Sequence, residues 1–198
     1  MIRDPVKSTF RSAPVLETER LTLRSFSHAD LDAHAATLGD PEVARFLGGG
    51  PFTREDSWRR MLGGIGCWPA LGFGPWAVEL KPDGRMVGHC GFFDFERDMQ
   101  PSIAGEPEMG WIFDPSVHGQ GIAYEACTAA LSWADANLTA AHISAIIEPG
   151  NEPSKQLALR LGFEQQPDAT YRGQPIWLFR RNATGNGRTI AGGRPNDL

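Results

Sequence analysis

Residues 114–126 read Asp114-Pro115-Ser116-Val117-His118-Gly119-Gln120-Gly121-Ile122-Ala123-Tyr124-Glu125-Ala126, a turn with two glycines that leads into a helical pattern. The stretch 108–113 before it reads as a strand, and small or apolar residues recur at helical spacing after it. A turn that opens a helix directs free backbone N–H groups and the positive end of the helix dipole at one point. Because glycine has no Cβ to hold an anion off the backbone, Gly119 and Gly121 predict a phosphate site.

Two common phosphate-binding motifs do not fit this turn. A P-loop ends its glycine run with Lys-Ser/Thr, whereas Ala123-Tyr124 stands there in this chain. The dinucleotide fingerprint needs Gly-x-Gly-x-x-Gly/Ala, and its last position, counted from Gly119, is Tyr124. A plain connecting turn and a nucleotide-binding protein of another type remain as alternatives.

The turn resembles the pyrophosphate-binding loop of the GNAT superfamily of N-acetyltransferases, which bind acetyl-CoA. Their pattern is Gln/Arg-x-x-Gly-x-Gly/Ala, and this chain supplies residues 118–123 in that register, with His118 in place of the usual first residue. Further matches lie on either side in family order, and together they resemble the branch of ribosomal-protein N-terminal acetyltransferases (RimJ/RimL type). They are Leu16–Arg24, Glu108–Trp111, Asn151–Ser154 and Arg160–Phe163.

Composition limits the classes of function. The chain has 198 residues and a net charge of −5, which suits one soluble domain and argues against a nucleic-acid-binding surface. Its three cysteines form no CxxC pair and the histidines lie at no metal-ligand spacing, so we expect reduced thiols and no metal. No signal region or membrane-spanning stretch is evident, so we expect a cytoplasmic protein without a membrane partner.

The pattern of elements predicts a mixed, mostly antiparallel α/β (α+β) fold. We expect an arm over residues 1–14, one N-acetyltransferase domain over 15–181 and a disordered tail over 182–198. The domain should have about seven strands, the first at 16–25, and about four helices; residues 99–107 read as a loop. The resemblance implies a central sheet that splays near its fourth and fifth strands, where the pantetheine arm of the cofactor would pair with the exposed backbone.

The sequence also predicts where two helices begin. Ser27 favours a helix over residues 28–38, and Thr53 with Asp56 resembles a capping box at the start of the next helix.

The resemblance also implies which residues contact acetyl-CoA. They lie on the strand before the loop, in the loop, and at the start of the later helix: Trp111, Ile112, Phe113, His118, Gly119, Gln120, Gly121, Ile122, Ala123, Tyr124, Asn151 and Ser154.

The catalytic groups are less clearly marked. Glu108 is the leading candidate for the base, with a salt-bridged glutamate as the alternative; Glu79, Asp94 and Glu148 are weaker candidates, and a neutral amine would need no base. Many relatives use a tyrosine seven residues after the asparagine as proton donor, but Ala158 stands there. The resemblance offers Ser154 instead, which is otherwise a helix-start hydroxyl.

We therefore expect an acetyl-CoA-dependent N-acetyltransferase whose amine acceptor attacks directly in a ternary complex. The acceptor would be a protein N-terminus or a small amine, and Trp76 is our candidate for lining its cleft, with burial in the core as the alternative. We expect a monomer or homodimer. The rival interpretation is a non-catalytic acyl-CoA-binding module.

Overall fold

The computed structural model describes residues 10–183 as a single α/β domain around one open sheet. Its strands are β1 (Leu16–Glu17), β2 (Leu21–Arg24), β3 (Pro75–Leu80), β4 (Met86–Phe93), β5 (Met99–Gln100), β6 (Glu108–Phe113), β7 (His142–Ile147), β8 (Glu164–Gln165), β9 (Ala169–Tyr171) and β10 (Gln174–Asn182). Its helices are α1 (Leu31–Gly39), α2 (Pro41–Ala44), α3 (Arg54–Leu71), α4 (Ile122–Asn137) and α5 (Glu152–Arg160).

The strand order is β1-β2-β3-β4-β6-β7-β10-β9-β5, with β8 on β10, and every pairing except β6–β7 is antiparallel. The predicted fold class is confirmed. The predicted strand 16–25 is in fact two strands, β1 and β2, because the chain turns between them and Thr18 N–H donates to Leu21 C=O at 3.0 Å. The short elements α2 and β5 were not predicted.

The parallel pair β6–β7 separates almost as soon as it forms. One residue pair, Glu108 with Ser144, is in register, next to a hydrogen bond from Ser144 N–H to Pro107 C=O at 3.0 Å. Beyond this point the two strands do not pair. Helix α4 is the crossover that a parallel pair requires, so its N-terminus lies at the end of β6 beside the gap.

The helix starts follow from local sequence. Thr53 Oγ1 accepts from Asp56 N–H at 3.1 Å, while the Asp56 carboxylate accepts from Thr53 N–H at 3.2 Å, which is the predicted capping box. At the earlier start, Ser27 precedes a 3₁₀ turn over His28–Asp30, and α1 continues from it.

An aromatic cluster fills the core on the α4 face of the sheet. Trp76 is fully buried, its ring packs edge-on against Trp68 and Trp133, and its Nε1–H donates to Pro14 C=O at 2.7 Å. The prediction that Trp76 lines an acceptor cleft is therefore wrong, because its ring and its one donor are both used inside the fold. Phe10 packs on the same cluster, so the described part of the predicted arm is part of the domain. Residues 1–9 and 184–198 lie outside the described residues.

Two histidines, His34 on α1 and His89 on β4, meet on the opposite face of the sheet. The rings of His34 and His89 lie 5.1 Å apart beside Phe26, and both ring nitrogens of His34 lack a hydrogen-bond partner among residues 10–183. Burial, reinforced by the positive charge of Arg60 and opposed by Asp30, lowers the pKa of His34 to about 4. Burial likewise lowers the pKa of His89 well below its ordinary value. Both imidazoles are therefore neutral in the folded protein.

We expect His34 to make the stability depend on pH. Below its ordinary pKa of 6.5 the unfolded chain binds a proton that folded His34 does not, so stability falls as the pH drops toward 4. The slope for one group is at most about 1.4 kcal/mol per pH unit. Urea unfolding at a series of pH values should show a shallower slope for His34→Leu than for the parent. His28→Gln, at an exposed histidine, is the control; an unchanged slope in His34→Leu would contradict the prediction.

Candidate functional site

The glycine turn is built to present backbone donors. A 3₁₀ turn (Pro115–Val117) leads from β6, and Gly119 and Gly121 then adopt left-handed φ angles of 73° and 77°. The first helical hydrogen bond of α4 runs from Glu125 N–H to Gly121 C=O at 3.0 Å. The N–H groups of the three residues between them, 122–124, therefore have no helical acceptor. A Cβ at Gly119 would meet no atom within 4 Å, so there is open space for a ligand beside the turn.

A cation that the sequence interpretation missed lies on this turn. Arg20 donates from Nη1 to Gln120 C=O at 2.9 Å and from Nε to the Glu125 carboxylate at 2.6 Å. Its Nη2 lies 3.5 Å from the point where a Cβ of Gly121 would stand. Burial alone would raise the pKa of the Glu125 carboxyl, but hydrogen bonds from Thr18 and Arg20 hold it below its usual value. Arg20, which directly precedes β2, thus links this part of the chain to the glycine turn and to the first helical turn of α4.

Two side chains of the turn bind its own backbone. His118 Nε2 lies 3.0 Å from Phe113 C=O, and Gln120 Nε2 donates to Ser116 C=O at 2.7 Å. These contacts fasten the turn to the end of β6. Two further residues were predicted to contact acetyl-CoA. Ile122 is buried in the core, and the ring of Tyr124 lies 3.9 Å from the Arg160 guanidinium that covers it.

A crevice of about 90 Å³ lies where β6 and β7 separate. It collects residues from both strands, from the start of α5 and from the segment after α2: Phe46, Leu47, Met109, Trp111, Ile146, Ile147, Glu148, Asn151 and Ser154. Three predicted site residues, Trp111, Asn151 and Ser154, therefore come together. Ile112 and Phe113 pair with β4 and are not among the lining residues.

Hydrogen bonds fix the two polar residues of α5. Asn151 Oδ1 accepts from Ser154 N–H at 3.2 Å, which caps the helix. Trp111 Nε1–H donates to Ser154 Oγ at 3.3 Å across the gap between β6 and α5. The Ser154 hydroxyl receives this bond as an acceptor, so its own proton is available to a ligand in the crevice.

Glu108 has a structural partner. Its carboxylate is buried and forms a two-pronged ion pair with Arg97, in which Arg97 Nη2 donates to Oε1 at 2.7 Å and Nε donates to Oε2. Neither Glu108 nor Arg97 lines the crevice. A base must have a free oxygen within reach of the proton that it removes. The structure therefore favours the salt-bridge alternative for Glu108 over the role of base.

Several residues of the crevice were not predicted to line it. Glu148 appeared only among the weaker candidates for the base, and Phe46 and Leu47 carried no signal at all. Their positions depend on how distant segments fold onto the gap between β6 and β7, which no local pattern reveals.

The alternative candidates for a functional site are a second cavity, a metal-ligand cluster and the cysteines. A cavity of about 420 Å³ lies elsewhere, lined by residues such as Arg180, Arg181 and Asn182, and it contains no predicted site residue. Within residues 10–183 no group of three or more metal-ligand side chains occurs, and no helix has the length and apolar character needed to cross a bilayer. Of the three cysteines, Cys67, Cys90 and Cys127, none lines the crevice.

Comparison with known proteins shows which family this chain resembles. The model of the family described as "Acetyltransferase (GNAT) domain" matches residues 20–164. The Bacillus licheniformis protein named uncharacterized N-acetyltransferase p20 is 30% identical over 152 residues, which cover 76% of this chain and 83% of that protein.

Solved structures show the same fold. The acetyltransferase from Agrobacterium tumefaciens superimposes with a TM-score of 0.73 and 26% identity, covering 86% of this chain and 95% of that one. RimL, a ribosomal L7/L12 α-N-protein acetyltransferase solved in complex with coenzyme A, has a TM-score of 0.69 at 16% identity, with 87% and 100% covered. At that identity, the second likeness concerns the fold alone.

Proposed function

The chain belongs to the GNAT acetyltransferase family and is an acetyl-CoA-dependent acetyltransferase, and we propose that its acceptor is a primary amine that attacks the thioester directly in a ternary complex. The observation that carries the proposal is the crevice between β6 and β7, which is lined by Trp111, Asn151 and Ser154. The glycine turn follows β6 directly in the chain, so one strand would lead from a slot for an extended acyl chain to a phosphate site.

We assign the pyrophosphate of acetyl-CoA to the turn. The free N–H groups at the start of α4 and the guanidinium of Arg20 would face its negative charge. Because His118 and Gln120 are bound to backbone carbonyls, this contact would depend on the backbone and on the absence of side chains at Gly119 and Gly121.

The acyl arm would lie in the crevice along β6. Asp114 N–H donates to Val87 C=O, toward β4, and backbone groups alternate in direction along an extended strand. The N–H of Trp111 therefore points to the opposite edge, where β7 has separated. This N–H is our candidate for the donor that stabilises the thioester oxygen as it gains negative charge.

Attack by the amine nitrogen forms the new C–N bond and expels the thiolate of coenzyme A. Ser154 is our candidate for the proton donor to that thiolate, because its hydroxyl lies in the crevice and accepts a bond from Trp111. Asn151 would hold Ser154 in place through the helix cap. We further propose a cytoplasmic enzyme, monomeric or homodimeric, that needs no metal and acts on a protein N-terminus or a small amine.

The proposal is tested by measuring thiol release from acetyl-CoA with a panel of alkylamines, aromatic amines and peptides with free N-termini. We expect turnover with at least one class of primary amine, and we expect binding of coenzyme A by calorimetry. Tight binding without turnover on any amine would contradict the proposed acceptor and favour the non-catalytic acyl-CoA-binding module.

Gly121→Asp should weaken the binding of coenzyme A by about tenfold or more, equivalent to at least about 1.4 kcal/mol, because it adds a carboxylate next to the pyrophosphate site. Gly105→Asp is the matched control, since Gly105 has a similar φ of 78° and open space around it but lies outside the turn. If calorimetry gave the two variants equal affinities for coenzyme A, the glycine turn would not be part of the coenzyme A site.

Ser154→Ala should lower kcat by about 10²-fold or more, with little change in KM for acetyl-CoA, if Ser154 supplies the proton to the thiolate. Ser132→Ala, at an exposed serine on α4, is the control. Steady-state kinetics would instead mark Ser154 as a binding residue if KM rose and kcat stayed unchanged.

A further inference from the structure

One carboxylate lines the crevice, and it belongs to Glu148. Glu148 follows directly after β7, at the point where this strand has moved away from β6. Its backbone C=O accepts from Asn151 N–H at 3.0 Å, so the residue is tied to the start of α5. The side chain is exposed at the mouth of the crevice.

Glu148 differs from its acidic neighbours because its carboxylate has no hydrogen-bond or ion-pair partner within residues 10–183. Three nearby carboxylates are all paired with cations. Glu108 on β6 is paired with Arg97, Glu106 just before β6 with Arg180, and Glu152 on α5 with Lys155. An unpaired carboxylate at the edge of a crevice attracts a cation from solution and can accept a proton from it.

The rest of the lining is largely apolar. Phe46 and Leu47, from the segment after α2, share the crevice with Ile146 and Trp111. No Lys or Arg is among the lining residues. An acceptor that reaches the acyl arm at the mouth of this crevice would therefore meet one carboxylate and no competing cation, which suits a positively charged group.

We propose that Glu148 binds the ammonium form of an aliphatic primary amine and removes its proton, and so selects this class of acceptor. This inference rests on the proposed acetyl transfer. One N–H bond of the ammonium breaks as an O–H bond forms on the Glu148 carboxylate. The freed lone pair forms the C–N bond with the acetyl carbon and the C–S bond breaks. The nitrogen then gives its second proton to water, and the thiolate takes a proton from Ser154, which water reprotonates. An aromatic amine is neutral at pH 7 and does not need the first step.

The test compares Glu148→Gln with the parent on two acceptors, hexylamine and aniline, with acetyl-CoA held constant. We expect kcat/KM for hexylamine at pH 7 to fall by about 10²-fold or more, which is the usual contribution of a base. The value of kcat/KM for aniline should change by less than about threefold. At higher pH more hexylamine is neutral, so the difference in kcat/KM for hexylamine between the variant and the parent should become smaller. Glu152→Gln is the control, since Glu152 is paired with Lys155 outside the crevice.

Each outcome decides one point. An equal loss on both amines, or no loss on either, would overturn the role of Glu148 while leaving the acetyl transfer established. A parent enzyme that acetylates aniline but not hexylamine would overturn the acceptor class. A parent enzyme that binds coenzyme A and acetylates no amine would contradict the proposed function itself, and this inference with it.

Discussion

The separation of β6 from β7 after a single residue pair is the constraint on which the rest of the site depends. In a continuous sheet the backbone of β6 would be paired on both edges. Here the edge beyond Glu108 loses its partner strand, so the N–H and C=O groups that point to that edge have no strand to pair with. An extended acyl arm with its own amides can occupy that edge much as a further strand would. The gap thus leaves the pairing groups of β6 available to a ligand.

The same separation accounts for the position of the proposed anion site. A parallel pair needs a crossover, and α4 is that crossover, so it begins where β6 ends. The start of a helix is also where unpaired N–H groups collect. The guanidinium of Arg20 also lies at this point, and its ion pair with Glu125 holds the residue before β2 against α4. The turn, the helix and the open strand edge are therefore consequences of one piece of topology.

Local features could be predicted from the sequence, and long-range ones could not. The glycine turn and the capping box at Thr53 depend on residues a few positions apart, and the structure contains both. The partners of Glu108 and Arg20 lie 11 and 105 residues away, so no spacing rule indicates them. Trp76 shows the same limit, because an aromatic residue on a strand can face a cleft or the core. Only the packing of α3 and α4 against the sheet decides between these two positions.

The distribution of ion pairs distinguishes Glu108, a structural carboxylate, from Glu148, the proposed base. Glu108 is buried, and removing Arg97 would leave an uncompensated charge inside the fold, which typically costs about 3–5 kcal/mol. That pair holds β6 at the base of the gap, and both carboxylate oxygens of Glu108 already accept hydrogen bonds from Arg97. Glu148, at the open end of the same gap, has no such duty. The paired carboxylate of Glu108 keeps the base of the crevice rigid. The unpaired carboxylate of Glu148 leaves an acceptor for a proton at its open end.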